Sequence, residues 1–254
     1  MTAELGSELD EQVAIVTGAS SGIGEATARS LAARGASVVL AARREDELEE
    51  LASSIEDDGG DALVVPTDVT DDGDIDDLVQ ATTDEYGRID VLVNNAGLMP
   101  LAHIAEADRE TLQDTIDVNL RGLITLTHAV VPTMLEQESG HVVNLSSVVG
   151  RFLQANSAHY NAAKAGVKMF GDSLRLDVAE EGIRVATIEP GAVDTELLDH
   201  IPDEEIQEGV KEYVGSMDAL APEDIARTIT FVVTQPQRVD INEVLIRPLD
   251  QVQP

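Results

Sequence analysis

The chain has 254 residues, 43% of them apolar, which suits one α/β domain with a sizeable core. No run approaches the roughly 20 continuous apolar residues of a membrane-spanning helix, and the lack of cysteine excludes disulfides, thiol chemistry and cysteine-bound metals within this chain. Sixteen basic residues against 49 acidic ones give a formal net charge of −33, the wrong sign for a nucleic-acid partner.

The acids are spread along the whole chain, with periodic apolar residues between them, unlike a disordered acidic segment. Self-repulsion of this size is costly in dilute buffer. At about 1 M salt the screening length falls to roughly 3 Å, so the composition predicts a surface adapted to high salt, as in a halophile. Residues 1–11 are polar and acidic, with neither a basic start nor an apolar run. They do not read as a signal peptide, and a cytoplasmic protein is expected.

In chain order, residues 12–16 predict a strand and 22–34 a helix ending at Gly35. A strand at 37–41 precedes a helix at 45–57, stopped by Gly59-Gly60, and a strand at 62–65 precedes a helix at 71–86 with Gly87 after it. After a strand at 91–93, one long helix is expected over about 108–135, bent near its end by Pro132. Residues 141–145 predict a strand, 157–181 a helix closed by Gly182, and 184–188 a strand. A helix at 222–233 opens on Pro222, and 243–246 predicts a last strand. Continuous apolar strands separated by helices indicate a parallel sheet covered on both faces. That is a doubly wound fold, which binds ligands at the carboxyl ends of its strands.

The first strand runs into Thr17-Gly18-Ala19-Ser20-Ser21-Gly22-Ile23-Gly24 and then directly into a helix. Glycines let the backbone turn tightly and approach a pyrophosphate, and the helix N-terminus offers free N–H groups and a positive dipole end. Later motifs follow in order. Asn94-Asn95-Ala96-Gly97 comes after the fourth strand, Asn119 lies in the long helix and Ser147 after the fifth strand. Tyr160-Asn161-Ala162-Ala163-Lys164 opens the next helix, and Pro190-Gly191 follows the sixth strand.

Over nearly the whole chain this set resembles the short-chain dehydrogenase/reductase family. The resemblance implies a single-domain Rossmann fold and a nicotinamide cofactor. It implies Asn119, Ser147, Tyr160 and Lys164 as catalytic residues. The cofactor contacts it implies are Gly18, Ser20, Ser21, Gly22, Ile23, Gly24, Val69, Asn95, Ala96, Gly97, Pro190, Gly191, Val193 and Thr195, with Tyr160 and Lys164, and Asp68 resembles the family's adenine-contacting acid.

Tyr160 and Lys164 are four apart in a helical segment, so their side chains share one face. A phenol with a pKa of about 10 is a poor base, and a neighbouring ammonium with a cationic nicotinamide ring would bring it toward working pH. Ser147 would hydrogen-bond the substrate oxygen. In the family the lysine also binds the nicotinamide ribose, and the asparagine that Asn119 resembles holds a water linking that lysine to solvent. Ser147 is chosen over Ser146 on its spacing to the tyrosine. His159 is expected to be a pocket or surface residue rather than the base.

The second strand ends in Ala41-Ala42 and is followed by Arg43-Arg44, where NAD-specific enzymes usually carry an acid. Arginine suits a 2′-phosphate through forked hydrogen bonds, so NADP(H) is expected, the alternative being that the pair merely begins a helix beside Glu47. An NAD-linked dehydrogenase is the corresponding rival.

Residues 192–220 contain Leu197, Leu198, Ile201, Ile206, Val210 and Tyr213, and the family resemblance implies that this region covers the substrate. Leu98, Val149, Phe152, Leu153, Gln154 and Val193 are further candidate lining residues. Mostly apolar, they favour an uncharged aldehyde, ketone or alcohol; Arg151 is either a carboxylate holder or an ordinary surface residue. The chain's second-strand, Glu189-Pro190-Gly191 and 241–248 segments are similar to a branch with NADP-dependent 3-hydroxy-acid (serine-type) dehydrogenases and clavulanate-type aldehyde reductases. Leu112, Ile116, Leu120, Leu123 and Leu126, with Val167, Phe170 and Leu174, predict apolar faces beyond what the sheet covers. Family tetramers pair these two helices, so a homotetramer is expected. Two rivals share the fold, a non-catalytic dinucleotide sensor and a lyase or dehalogenase. The first commonly loses the tyrosine or lysine; the halohydrin type of the second lacks the lysine and has a damaged glycine loop.

Overall fold

The computed structural model describes residues 8–252, so most of the segment read above for a targeting signal lies outside the described residues. Seven strands form one parallel sheet: β1 (Val13–Thr17), β2 (Ser37–Ala42), β3 (Asp61–Pro66), β4 (Val91–Asn94), β5 (Gly140–Leu145), β6 (Ile183–Pro190) and β7 (Glu243–Ile246). Their order is β3-β2-β1-β4-β5-β6-β7. Every expected strand occurs, with ends displaced by no more than two residues.

Alternation along β1 sends Ala14 and Val16 to one face and Val13 and Ile15 to the other. On the first face lie α1 (Gly22–Ala32), α2 (Glu45–Asp57) and α8 (Pro222–Val233), which bury Leu31, Leu48, Ile55, Ile225 and Ile229 against Val38, Leu40, Val93 and Ile188. On the second lie α3 (Asp72–Tyr86), α5 (Leu123–Glu136) and α6 (Ala158–Val178), contributing Ile75, Leu78, Leu126, Val130, Met134 and Val178. Each such side chain removed from water stabilises the domain by roughly 1.5–3 kcal/mol.

The long helix expected over 108–135 is not continuous. It is divided into α4 (Arg109–Ile116), a π-helical turn (Asp117–Gly122) and α5, with Pro132 inside α5. The widened turn carries Asn119, whose amide bonds the backbone of Leu98, and Gly122, where a Cβ would collide with the carbonyl oxygen of Val69. These tertiary contacts override the regular helical register. Of the residues expected to pair helices between subunits, Leu126 and Val167 are core residues and Ile116 is exposed, as are Ile124, Met169 and Leu176 nearby in sequence. The 192–220 region holds a 3₁₀ turn (Glu196–His200) and a helix, α7 (Glu204–Gly215), capped by Asp203 accepting from Ile206 N at 3.0 Å.

Candidate active site

β1 lies between β2 and β4, so the strand order reverses beside β1, and the carboxyl ends of β1, β4, β5 and β6 open onto one cleft of ≈ 630 Å³. Each expected site residue lines it except Gly24. Gly24 acts on the loop itself: a Cβ there would collide with the Gly18 carbonyl oxygen, so glycine permits the tight packing of loop on helix. Gly18, at φ +64°, makes the turn that L side chains rarely adopt. Ser21 precedes α1 without a side-chain cap, leaving the first N–H groups of the helix free to meet an anion.

Thr17, not singled out from the sequence, ties the glycine loop to the Asn95 loop. Its hydroxyl accepts from Asn95 N and Ala96 N, both at 3.0 Å, while Asn95 Nδ2 donates to Thr17 O at 2.9 Å. Gln251, also overlooked, is buried with Oε1 accepting from Ala192 N at 3.0 Å, and so anchors the start of the 192–220 segment.

Tyr160 and Lys164 are both buried, with Lys164 Nζ 5.8 Å from the centre of the Tyr160 ring and donating to Leu145 O at 2.8 Å. Burial pushes the Tyr160 phenol up to about 12, against a smaller opposing effect of its hydrogen bond with Ser147. Burial brings the Lys164 ammonium down to about 8. The protein's own groups thus hold Tyr160 as a neutral phenol, and the lowering expected above would need the cationic ring of a bound nicotinamide.

Ser147 precedes a 3₁₀ turn (Val148–Gly150) and accepts from Val149 N at 3.3 Å. Ser146, the rejected neighbour, is spent on the Lys164 carbonyl at 2.8 Å. Asn119 uses its side chain on Leu98 O and Thr115 O, both at 2.9 Å, and on Leu98 N at 3.3 Å. It holds the loop carrying Asn95-Ala96-Gly97. His159 is buried away from the cleft, its Nε2 2.8 Å from Pro100 O.

At the other end, Arg43 and Arg44 line the cleft with Ser20 and Asp68. Burial works to raise Asp68. Hydrogen bonds from the Thr70 hydroxyl and amide, with the charges of Arg43 and Arg121, outweigh it and hold the carboxyl below its usual range. Arg44 Nη2 donates to Ser20 Oγ at 3.0 Å, and the ion pair with Glu47 considered above is also present at 3.6 Å.

Arg151 is exposed, the surface-residue alternative, and its guanidinium is occupied by both oxygens of the wholly buried Glu189 at 3.0 and 3.3 Å and by Glu243. Two substrate-side expectations change. Leu153 is 88% exposed and does not line the cleft. Phe152 does not line the cleft but packs behind it, on the apolar cluster of Leu101, Val149 and Tyr160, with Arg247 over its ring. Leu98, Val149, Gln154, Leu197, Leu198, Val210 and Tyr213 do line it, beside Met99 and Leu101.

The sheet order, the glycine turn at a helix start and the arginine pair lining the cleft match a dinucleotide-binding protein of the doubly wound class. The family model for short chain dehydrogenases matches residues 12–206, and the chain belongs to the short-chain dehydrogenase/reductase family of oxidoreductases. It is 39% identical over 244 residues to an uncharacterised oxidoreductase of Staphylococcus saprophyticus (95% of this chain, 97% of the relative). It is 38% identical over 249 residues to one of Listeria monocytogenes (96% and 98%). Among solved structures it is similar to the closed form of a serine dehydrogenase complexed with NADP+ (33% identity, TM-score 0.88, 95% and 97% of the two chains). A metagenomic short-chain oxidoreductase in complex with NADP is also similar (32%, TM-score 0.82, 95% and 99%).

Proposed function

We propose that this chain is an NADP(H)-dependent oxidoreductase interconverting an uncharged aldehyde or ketone and its alcohol, with Tyr160 as the acid and base. The observation that carries this reading is the buried Tyr160, hydrogen-bonded to Ser147, in the same cleft as the glycine loop and Arg43-Arg44. Gly18, Ser20, Ser21, Gly22, Ile23, Asp68, Val69, Asn95, Ala96, Gly97, Pro190, Gly191, Val193 and Thr195 would hold the dinucleotide along the carboxyl edge of the sheet, with Arg43 and Arg44 at its 2′-phosphate. Bound there, the nicotinamide supplies or accepts the hydride. NADP in the two similar structures supports the cofactor assignment.

Tyr160 gives its phenolic proton to the substrate oxygen during reduction and recovers it during oxidation. Ser147 donates to the same oxygen and stabilises its developing charge. The Lys164 ammonium favours phenolate when the proton leaves, and Asn119 fixes the loop on which the nicotinamide would lie. The pairing of Arg151 with Glu189 and the apolar lining favour a neutral substrate over a carboxylate. A covering role for 192–220, a homotetramer joined through the exposed Ile116, Ile124, Met169 and Leu176, a cytoplasmic location and adaptation to high salt complete the proposal.

NADPH oxidation in concentrated KCl with a panel of neutral and carboxylate-bearing carbonyl compounds tests it. Turnover of neutral members is expected. Tight NADPH binding with no turnover would favour the sensor, and sedimentation of a lone 27.0 kDa monomer would remove the tetramer.

A further inference from the structure

Arg44 sits where two parts of the protein meet. Nε and Nη2 reach back to the glycine loop, donating to Ser20 Oγ at 3.2 and 3.0 Å, and Nη2 also meets Ser20 O at 3.2 Å. Nη1 faces two carboxylates, Glu47 at 3.6 Å and Glu196 at 3.8 Å. Glu47 is one helical turn away on α2 and moves with Arg44. Glu196 belongs to the segment after β6, and its neighbour Thr195 packs where a Cβ on Gly22 would lie 3.4 Å from Thr195 Cγ2. Both Arg44 and Glu196 line the cleft, so their ion pair spans its mouth from the second strand's end to the cover.

We propose that Glu196 competes with the cofactor's 2′-phosphate for Arg44 and thereby sets how strongly the cleft prefers NADP(H) to NAD(H). The inference rests on the NADP(H) reading above. A guanidinium has five donors in a fixed fork, so it cannot present the same N–H groups to Ser20, a carboxylate and a phosphate together. A phosphate docking on Arg44 must displace Glu196 or accept a like charge within a few ångströms. A cofactor without that phosphate leaves the pair intact. The pair is exposed, with side-chain exposures of 45% and 62%, so concentrated salt should weaken the competition.

Glu196→Gln removes the charge and keeps the shape. Dissociation constants for NADPH and NADH can be read from nicotinamide fluorescence, which is little disturbed in a chain without tryptophan. At the lowest salt at which the protein stays folded, the variant should bind NADPH about two- to fivefold more tightly, with NADH unchanged. The gain should shrink as KCl is raised and vanish in an Arg44→Ala background, where the competitor has nothing to hold. Unchanged or weaker NADPH binding overturns the competition, as does a gain that survives Arg44→Ala. If Arg44→Ala itself fails to weaken NADPH relative to NADH, the NADP(H) reading falls and the competition with it. Loss on Arg44→Ala with no gain on Glu196→Gln removes the competition alone.

Discussion

Lys164 Nζ lies 5.8 Å from the centre of the Tyr160 ring and donates to the Leu145 carbonyl oxygen at 2.8 Å. A strand end therefore fixes the ammonium close to the phenol ring without bonding the hydroxyl. This arrangement opposes folding at neutral pH, because burial brings Lys164 from 10.5 to about 8. Between those values the unfolded chain binds more protons than the folded one, so the Lys164 contribution to stability rises with pH. Relative to Lys164→Met, the unmodified protein should gain stability between about pH 8 and pH 10.5, with urea unfolding as the measurement. A parallel pair of curves would contradict the assignment.

His141 gives a pH dependence of the same sign in the acid range. It is buried in β5 with both ring nitrogens unpartnered among the described residues, and burial, helped by the charge of Arg184, lowers it from 6.5 to about 3. The folded state holds it neutral, so stability present above about pH 6.5 is lost progressively as pH falls toward 3. His141→Leu should remove several kcal/mol of that acid sensitivity as an upper estimate. Equal acid midpoints for both proteins would show that other groups dominate.

The arginine pair predicts selectivity rather than overall affinity. Replacing Arg43 and Arg44 together with alanine should weaken NADPH by about ten- to a hundredfold and NADH by less than about threefold. Titration of both cofactors checks this, and equal losses would mean that the arginines act only on the loop through Ser20.

The charge of −33 predicts a stability that depends on salt. Lowering KCl from about 1 M to about 0.1 M lengthens the screening distance from roughly 3 to 10 Å, so the thermal midpoint should fall markedly. An unchanged midpoint would remove the proposed adaptation to high salt.

The sheet and its order of elements were legible because each strand is a short run rich in β-branched residues near glycine or proline, and the central strands are buried on both faces. The site residues were legible where one motif carries its own neighbours, as in the glycine loop or Tyr160 to Lys164. What depended on distant contacts was not. Leu112, Ile116, Leu120 and Leu123 keep helical spacing through the π turn, and only the meetings of Asn119 with Leu98 and Gly122 with Val69 reveal it. Arg151 stands 38 residues from the buried Glu189 that occupies it, and Gln251 stands 59 from Ala192. The helix in the 192–220 segment had a local signal, Asp203 followed by two acids and apolar residues at 206, 210 and 214.

The most direct test of the account is NADPH turnover by Tyr160→Phe on any neutral carbonyl that the unmodified protein reduces. The ring remains, so the fold and the cleft should persist, and NADPH affinity should stay within about threefold. Turnover should fall by about 10²- to 10⁴-fold, the usual contribution of a positioned acid or base. Turnover undiminished in Tyr160→Phe would contradict the central claim that this phenol moves the proton.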